Sequence, residues 1–304
     1  MLSKKNKTLI IYDSFQYFAP FFRGKGYPTY KTLRDIDTLQ KVARKISLKL
    51  GVFKNYWFDD WRKNLTEIDT VIIFASQHPS PVKFINETNP NIRIIYWYWN
   101  PVEKCVHPNT IPDKLCEKWS FDREDCLNYS MEHNTTFYFD TIEIPESEIL
   151  FDLFFVGVNK GRKAALDKIG DKMEERGLKP HFYIVDDNWN SRNYRGDYPP
   201  INYPDYLKLV GQSKAILDYV QEGQNGLTLR PMESIFFKKK LVTNDETVKQ
   251  EDFYNPSNVF ILGVDDLNNL KEFLNSPYVS LDASITRRYD VDYWIERFNE
   301  NYNK

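Results

Sequence analysis

Thr228, Arg230 and Glu233, set behind Gly226 in the run GQNGLTLRPMESIFF, have the types and spacing to act on a phosphate. A helix beginning between Thr228 and Pro231 would aim its first N–H groups and its dipole at an anion. Pro231 suits a first helical turn, and Gly226 lets the backbone ahead of the helix come close to a ligand. Thr228 adds a hydroxyl and Arg230 a forked guanidinium. Glu233, one turn on, stands where it could accept from two vicinal ribose hydroxyls, and Gln224 belongs to the same glycine turn. Together these residues would hold the nucleoside diphosphate of an activated sugar. The same spacing also suits a plain surface helix in which Arg230 and Glu233 form an ion pair worth about 0.2–0.5 kcal/mol.

Strands and helices must position these groups. Thr8–Tyr12, TLIIY, is an apolar run bounded by Asp13, the form of a buried parallel strand. Residues 29–50 have helical periodicity and stop at Gly51. Residues 52–58, 70–75 and 92–97 read as strands, and 81–87 as a short helix. The pattern then predicts a weak helix after Pro101, an edge strand at 118–121, a helix over 122–131 and a last strand at 136–139. The polar stretch 141–149, with one proline and no periodicity, reads as a linker.

Beyond the linker the alternation restarts. Strands are expected at 152–157, 181–185, 215–219, 240–243 and 258–262, with helices at 164–176, 203–210, 232–237, 267–274 and 290–299. Strands alternating with helices imply right-handed crossovers and parallel sheets covered on both faces. Two such halves make a crevice between domains the natural ligand site, with ligands at the carboxyl ends of strands. Lys160, Arg162 and the Gly226–Glu233 segment all follow expected strands of the second half.

The chain has 304 residues, enough for two domains, with 28% charged and 16% aromatic residues. A formal net charge of -2 supplies no broad basic field, which argues against nucleic acid as the main partner. The three cysteines, Cys105, Cys116 and Cys126, lack the spacing of a zinc site or a disulfide framework, so a reducing cytoplasm is the default. No apolar run reaches the roughly 18 residues of a spanning helix.

The segment SKAILDYVQEGQNGLTLRPMESIFFKKKLVTND resembles the donor-binding motif of GT-B glycosyltransferases that build bacterial lipopolysaccharide, capsule or exopolysaccharide. YWYWNP, SFDREDCLNY and FFVGVNKGR fit the same group. The resemblance implies an α/β fold of two Rossmann-like parallel-sheet domains facing across a cleft. The acceptor-side domain would be 1–145, the nucleotide-sugar domain 146–288, and 289–304 a helix crossing back towards the first domain. It places Lys160 and Arg162 near the diphosphate, Thr228 and Arg230 at the phosphates and Glu233 at the ribose. One departure stands out. Members of glycosyltransferase family 4 carry an acidic residue at the position that is Asn225 here.

Glycosyl transfer needs a stabilised leaving diphosphate and an acceptor hydroxyl whose proton is accepted. Asp13 after the first strand and His78 in the loop SQHPS are the candidate bases. Asp186 and Asp187 are weak metal candidates; neither a metal nor another cofactor is expected, since positive side chains and a helix dipole replace the ion in the GT-B plan. The expected partners are a nucleotide diphosphate sugar and a saccharide or lipid-linked saccharide. The aromatic loop 15–30, Tyr96–Trp99 and the runs RGKG and KKK are candidates for acceptor stacking or peripheral membrane contact, or else for core and solvated faces. Competing readings are a two-domain protein that binds a nucleotide sugar or saccharide without reaction, a nucleotide-sugar epimerase, or a pyruvyl transferase. A nicotinamide enzyme is disfavoured because no GxGxxG follows the first strand.

Overall fold

Apolar runs that read as doubly covered strands do form two parallel sheets. The computed structural model describes residues 2–13, 17–190, 198–221 and 226–300. Its contacts divide the chain into two units, Met1–Thr135 and Thr136–Lys304.

The first unit holds β1 (Thr8–Tyr12), β2 (Thr29–Lys31), β3 (Thr70–Phe74), β4 (Arg93–Tyr98), β5 (Glu117–Ser120) and β6 (Glu132–His133), in the order β2-β1-β3-β4-β5-β6. Every neighbouring pair is parallel. Central strands β1, β3 and β4 bury nearly every side chain, as strands covered on both faces must. Tyr96, Trp97 and Tyr98 are fully buried, so these three rings are core and offer no platform for a sugar ring, whereas Trp99 is half-buried. At the amino ends of β4 and β5, Arg93 grips Glu117 through Nε at 2.6 Å and Nη2 at 2.7 Å, a bidentate cross-strand pair.

Three sequence expectations fail in this unit or at its border. Residues 52–58 form no strand; Lys54–Trp57 is a 3-10 turn. The strand beside β1 comes instead from Thr29–Lys31, at the front of the expected helix, with Ile10 opposite Thr29. That helix is Thr38–Leu50, because Asp37 accepts from the Gln40 N–H at 2.8 Å and so fixes the start. Residues 136–139 also form no strand. Phe137, Tyr138 and Phe139 are buried, but Tyr138 pairs its backbone with Tyr289 and Val291 at the start of the C-terminal helix Val291–Glu300.

The second unit holds β7 (Phe151–Val158), β8 (Pro180–Val185), β9 (Ser213–Asp218), β10 (Lys240–Thr243) and β11 (Val259–Ile261), in the order β11-β10-β9-β7-β8, again all parallel. Alternation along β7 divides its two phenylalanines. Phe155 enters the cluster with Leu166, Leu217 and Phe273, whereas Phe154 packs with Val210 and Ile216. The Trp294 ring of the C-terminal helix packs against that of Phe137 at 4.2 Å, tilted by 34°, within this unit. Among the described residues no helix is long and apolar enough to cross a membrane.

Candidate functional site

β7 and β9 are neighbours, yet the chain visits β8 on the far side of β7 between them. The winding direction reverses there. Loops leaving the carboxyl ends of two such strands part and leave a crevice, the usual ligand position in open α/β sheets. Arg162 follows β7, and Arg230 follows β9.

On the β7 side the chain turns through Lys160 and Gly161 with φ of 45° and 80°, both left-handed. Asp187, just past β8, holds this turn by accepting from the Lys160 N–H at 2.7 Å and the Asn159 Nδ2 at 2.9 Å. Arg162 then folds back. Its Nε and Nη2 donate to the Val158 carbonyl, and its Nη1 reaches the Tyr219 carbonyl, just beyond β9, at 2.8 Å.

On the β9 side the helix Leu229–Phe237 starts from Thr228, whose hydroxyl accepts from the Arg230 N–H at 3.2 Å and donates to Asp218 Oδ1 at 3.0 Å. Gly226 precedes it with φ of 103°, a conformation that suits glycine. Arg230 donates from Nη2 to the Val156 carbonyl of β7 at 2.6 Å, and its Nη1 lies 3.5 Å from Asp218 Oδ1. Since Thr228 covers the Arg230 N–H and Pro231 has none, positive character at this helix start comes more from side chains than the spacing suggested.

Each arginine thus reaches across to the other's strand or loop. Both guanidiniums lie over the Phe155 ring, at 4.9 Å for Arg162 and 5.1 Å for Arg230. A Cβ on Gly157 would sit 2.7 Å from Arg162 Nη2 and 3.1 Å from Arg230 Nη2, so the two cations meet where the strand has no side chain. Burial, then the charge of Arg230, pulls Arg162 down to about 10, still a cation at neutral pH. Asp218 is a buried carboxylate against these two cations, and burial raises it more than Arg230 and Thr228 lower it.

Glu233 is not an open acceptor. It is 3% exposed, with Oε2 taken by the Tyr206 hydroxyl and Oε1 facing the Tyr138 hydroxyl at 3.5 Å. Tyr203 in turn bonds Tyr138, and its ring stacks on that of Tyr206. Burial, opposed by the Tyr206 hydrogen bond and then by Arg230, pushes Glu233 up to about 7. The tyrosines at 203 and 206, one turn apart on the helix Tyr203–Gly211, were the signal for this enclosure. Phe155 and Asp218 also escaped the sequence reading, although Asp218 ends an apolar strand where a ligand-facing carboxylate belongs.

Lys160 is an exposed turn residue whose carbonyl accepts from Gln221 Nε2 at 2.6 Å. Gln224 lies outside the described residues. Asp13 follows β1 and His78 lies four residues past β3, its N–H donating to Ser76 Oγ at 3.0 Å; both therefore stand at the carboxyl edge of the first unit's sheet.

No protein-family model matches the sequence, and no curated protein matches it. Among solved structures, an alpha-glucosyltransferase in complex with UDP and a 13-mer DNA containing a central A:G mismatch aligns with 97% of this chain and 98% of its own, with a TM-score of 0.53 at 10% identity. The chain shares its fold with glycosyltransferases. A mutant of T4 phage BGT in complex with UDP-glucose aligns over 97% of each chain with a TM-score of 0.48 at 11% identity. The spinosyn forosaminyltransferase SpnP covers 97% of this chain and 98% of its own, with a TM-score of 0.42 at 11% identity. The fold class, two parallel-sheet α/β domains with a glycosyltransferase neighbour along the whole chain, is the one expected from the sequence.

Proposed function

We propose that the chain is a glycosyltransferase that draws a sugar from a nucleoside diphosphate sugar, with the donor's diphosphate bound at the carboxyl ends of β7 and β9. The observation that carries this reading is the convergence of Arg162 and Arg230 over Phe155 and Gly157, with the buried Asp218 against both. Arg230 keeps 19% of its side chain exposed, enough to meet an oxygen of the ligand. Lys160 and Thr228 border the same crevice.

In the reaction the bond between the anomeric carbon and the β-phosphate oxygen breaks, and its electron pair stays with the departing diphosphate. Two fixed guanidiniums oppose the charge as it grows, and they need no reorganisation to do so. They also supply the positive charge a divalent ion would otherwise bring, which makes a metal-independent transfer the natural form of the proposal. The acceptor hydroxyl bonds to the anomeric carbon and gives up its proton. Asp13 and His78, at the carboxyl edge of the first unit's sheet, are the candidates to take it if the mechanism uses a base. The acceptor class we favour is a cell-surface glycan or lipid-linked saccharide.

UDP is the first nucleotide to test, since it is the one named with the α-glucosyltransferase neighbour. Calorimetry with UDP, GDP, CMP and dTDP on wild type and Arg230→Ala decides the site: equal affinity for all four in both proteins would remove it. Turnover assays offering a lipid-linked saccharide, a free saccharide and duplex DNA sort the acceptors. A nucleotide sugar left intact with every acceptor would favour a binding protein over an enzyme.

A further inference from the structure

The helix Thr38–Leu50 is amphipathic, but its apolar side faces away from the domain. Leu39, Val42, Ile46 and Leu50 fall in one stripe roughly 80° wide on a helical projection. Their exposure runs from 54% at Ile46 to 85% at Leu39. The helix is attached by its other side: Arg44 Nη1 donates to the Arg34 carbonyl at 3.0 Å, and buried Ser47 accepts from Trp57 Nε1 at 2.8 Å. An amphipathic surface helix ordinarily buries such a stripe. Here the packing is inverted.

The turn after the helix extends the pattern. Phe53 sits in the left-handed region at φ 53°, unusual for a bulky side chain, and is 81% exposed. Trp57, four residues on and buried, anchors the turn that presents it. Charge completes the picture. Lys41, Lys45 and Lys49 lie along the outer flank of the apolar stripe, and residues 38–58 contain no Asp or Glu.

We infer that this helix and the Phe53 turn form a docking surface for an anionic lipid bilayer, with the apolar stripe entering the headgroup boundary and the lysines meeting the lipid phosphates. Basic flank, apolar stripe and exposed aromatic are together the composition of an interfacial helix. A second copy fits poorly, because a two-fold contact through this stripe would bring two rows of lysines together. Nucleic acid would answer the lysines but leave Leu39, Ile46 and Phe53 without a partner. The inference is independent of the donor site, which lies in the other unit.

Vesicle co-sedimentation of the full chain tests it, with phosphatidylcholine alone and with phosphatidylcholine and phosphatidylglycerol in a three-to-one ratio. The wild type is expected to sediment with the anionic vesicles and to remain in solution with the neutral ones. Leu39→Ser/Ile46→Ser/Phe53→Ser and, separately, Lys45→Glu/Lys49→Glu are each expected to weaken partitioning at least about tenfold. Both sets are exposed, so near-ultraviolet dichroism and UDP affinity should match the wild type, and the charge pair decides alone if the triple variant misfolds. Wild type that ignores anionic vesicles, or variants that bind them as well as wild type, would overturn the inference. So would a dimer or a duplex DNA complex that the triple variant abolishes while vesicle binding persists.

Discussion

Arg230 donates to the Val156 carbonyl at 2.6 Å, which ties the helix following β9 to the neighbouring strand β7. With Asp218 on its other side, the guanidinium is oriented before any ligand arrives. Orientation fixed in advance is what lets a cation stabilise developing charge without reorganisation.

Replacing Arg230 by alanine is expected to lower kcat/KM by about 10²–10³ and to destabilise the fold by on the order of 1–3 kcal/mol, because buried Asp218 loses a charged partner. Adding Asp218→Asn should restore much of the stability and none of the activity. Urea unfolding and steady-state kinetics on the single and double variants check both halves.

Gly157→Ala tests the convergence itself. The new methyl would meet the hydrogen-bonded ends of both guanidiniums and the buried Phe155 ring, so a stability loss on the order of 1–3 kcal/mol is expected. Nucleotide affinity should fall at least about tenfold, because both cations must move. Calorimetry with UDP reads the effect; intact affinity would show that the cations need not meet over this glycine.

Glu233 governs a pH dependence. Burial lifts its carboxyl from 4.5 to about 7. Between those values the folded chain keeps a proton that the unfolded chain has released, so stability from this residue is present below pH 4.5 and is lost as pH rises through 7. Glu233→Gln should therefore stabilise the protein at pH 8 by on the order of 2–3 kcal/mol and leave it unchanged near pH 4. Chemical denaturation at the two pH values checks the sign; an equal gain at both would contradict it.

Trp294 is a principal anchor of the C-terminal helix. Trp294 is fully buried, 4.2 Å from the Phe137 ring and 4.8 Å from that of Phe298. Trp294→Ala is expected to cost about 3–5 kcal/mol and to lower the thermal midpoint, with 137–139 losing protection in hydrogen exchange.

Both parallel sheets were legible because strands buried on two faces leave unbroken apolar runs such as TLIIY and DLFFVG. The turn at Gly226 and the helix cap at Thr228 were legible for the same local reason, a residue type matched to a backbone need. What could not be read was set by distant partners. Thr29–Lys31 is a strand because β1 lies beside it, and Phe137–Phe139 is buried without a ladder because a helix start 150 residues later meets it. Glu233 has the spacing of a ribose acceptor, but two tyrosines brought in by other segments occupy its oxygens. Amphipathic periodicity located the helix Thr38–Leu50 and misjudged its front, since a stripe does not say whether core or solvent lies opposite.

Phe154 and Phe155 stand back to back in β7. The first rests 5.9 Å from the Tyr206 ring, and the second lies beneath the two arginines. A single inserted residue upstream of this pair would rotate β7 by one pleat and exchange their sides, taking the aromatic floor from the cations and the packing from the tyrosines in the same stroke. The reading frame of one strand therefore couples two otherwise separate environments, and length changes in this strand should be tolerated far less than substitutions in it.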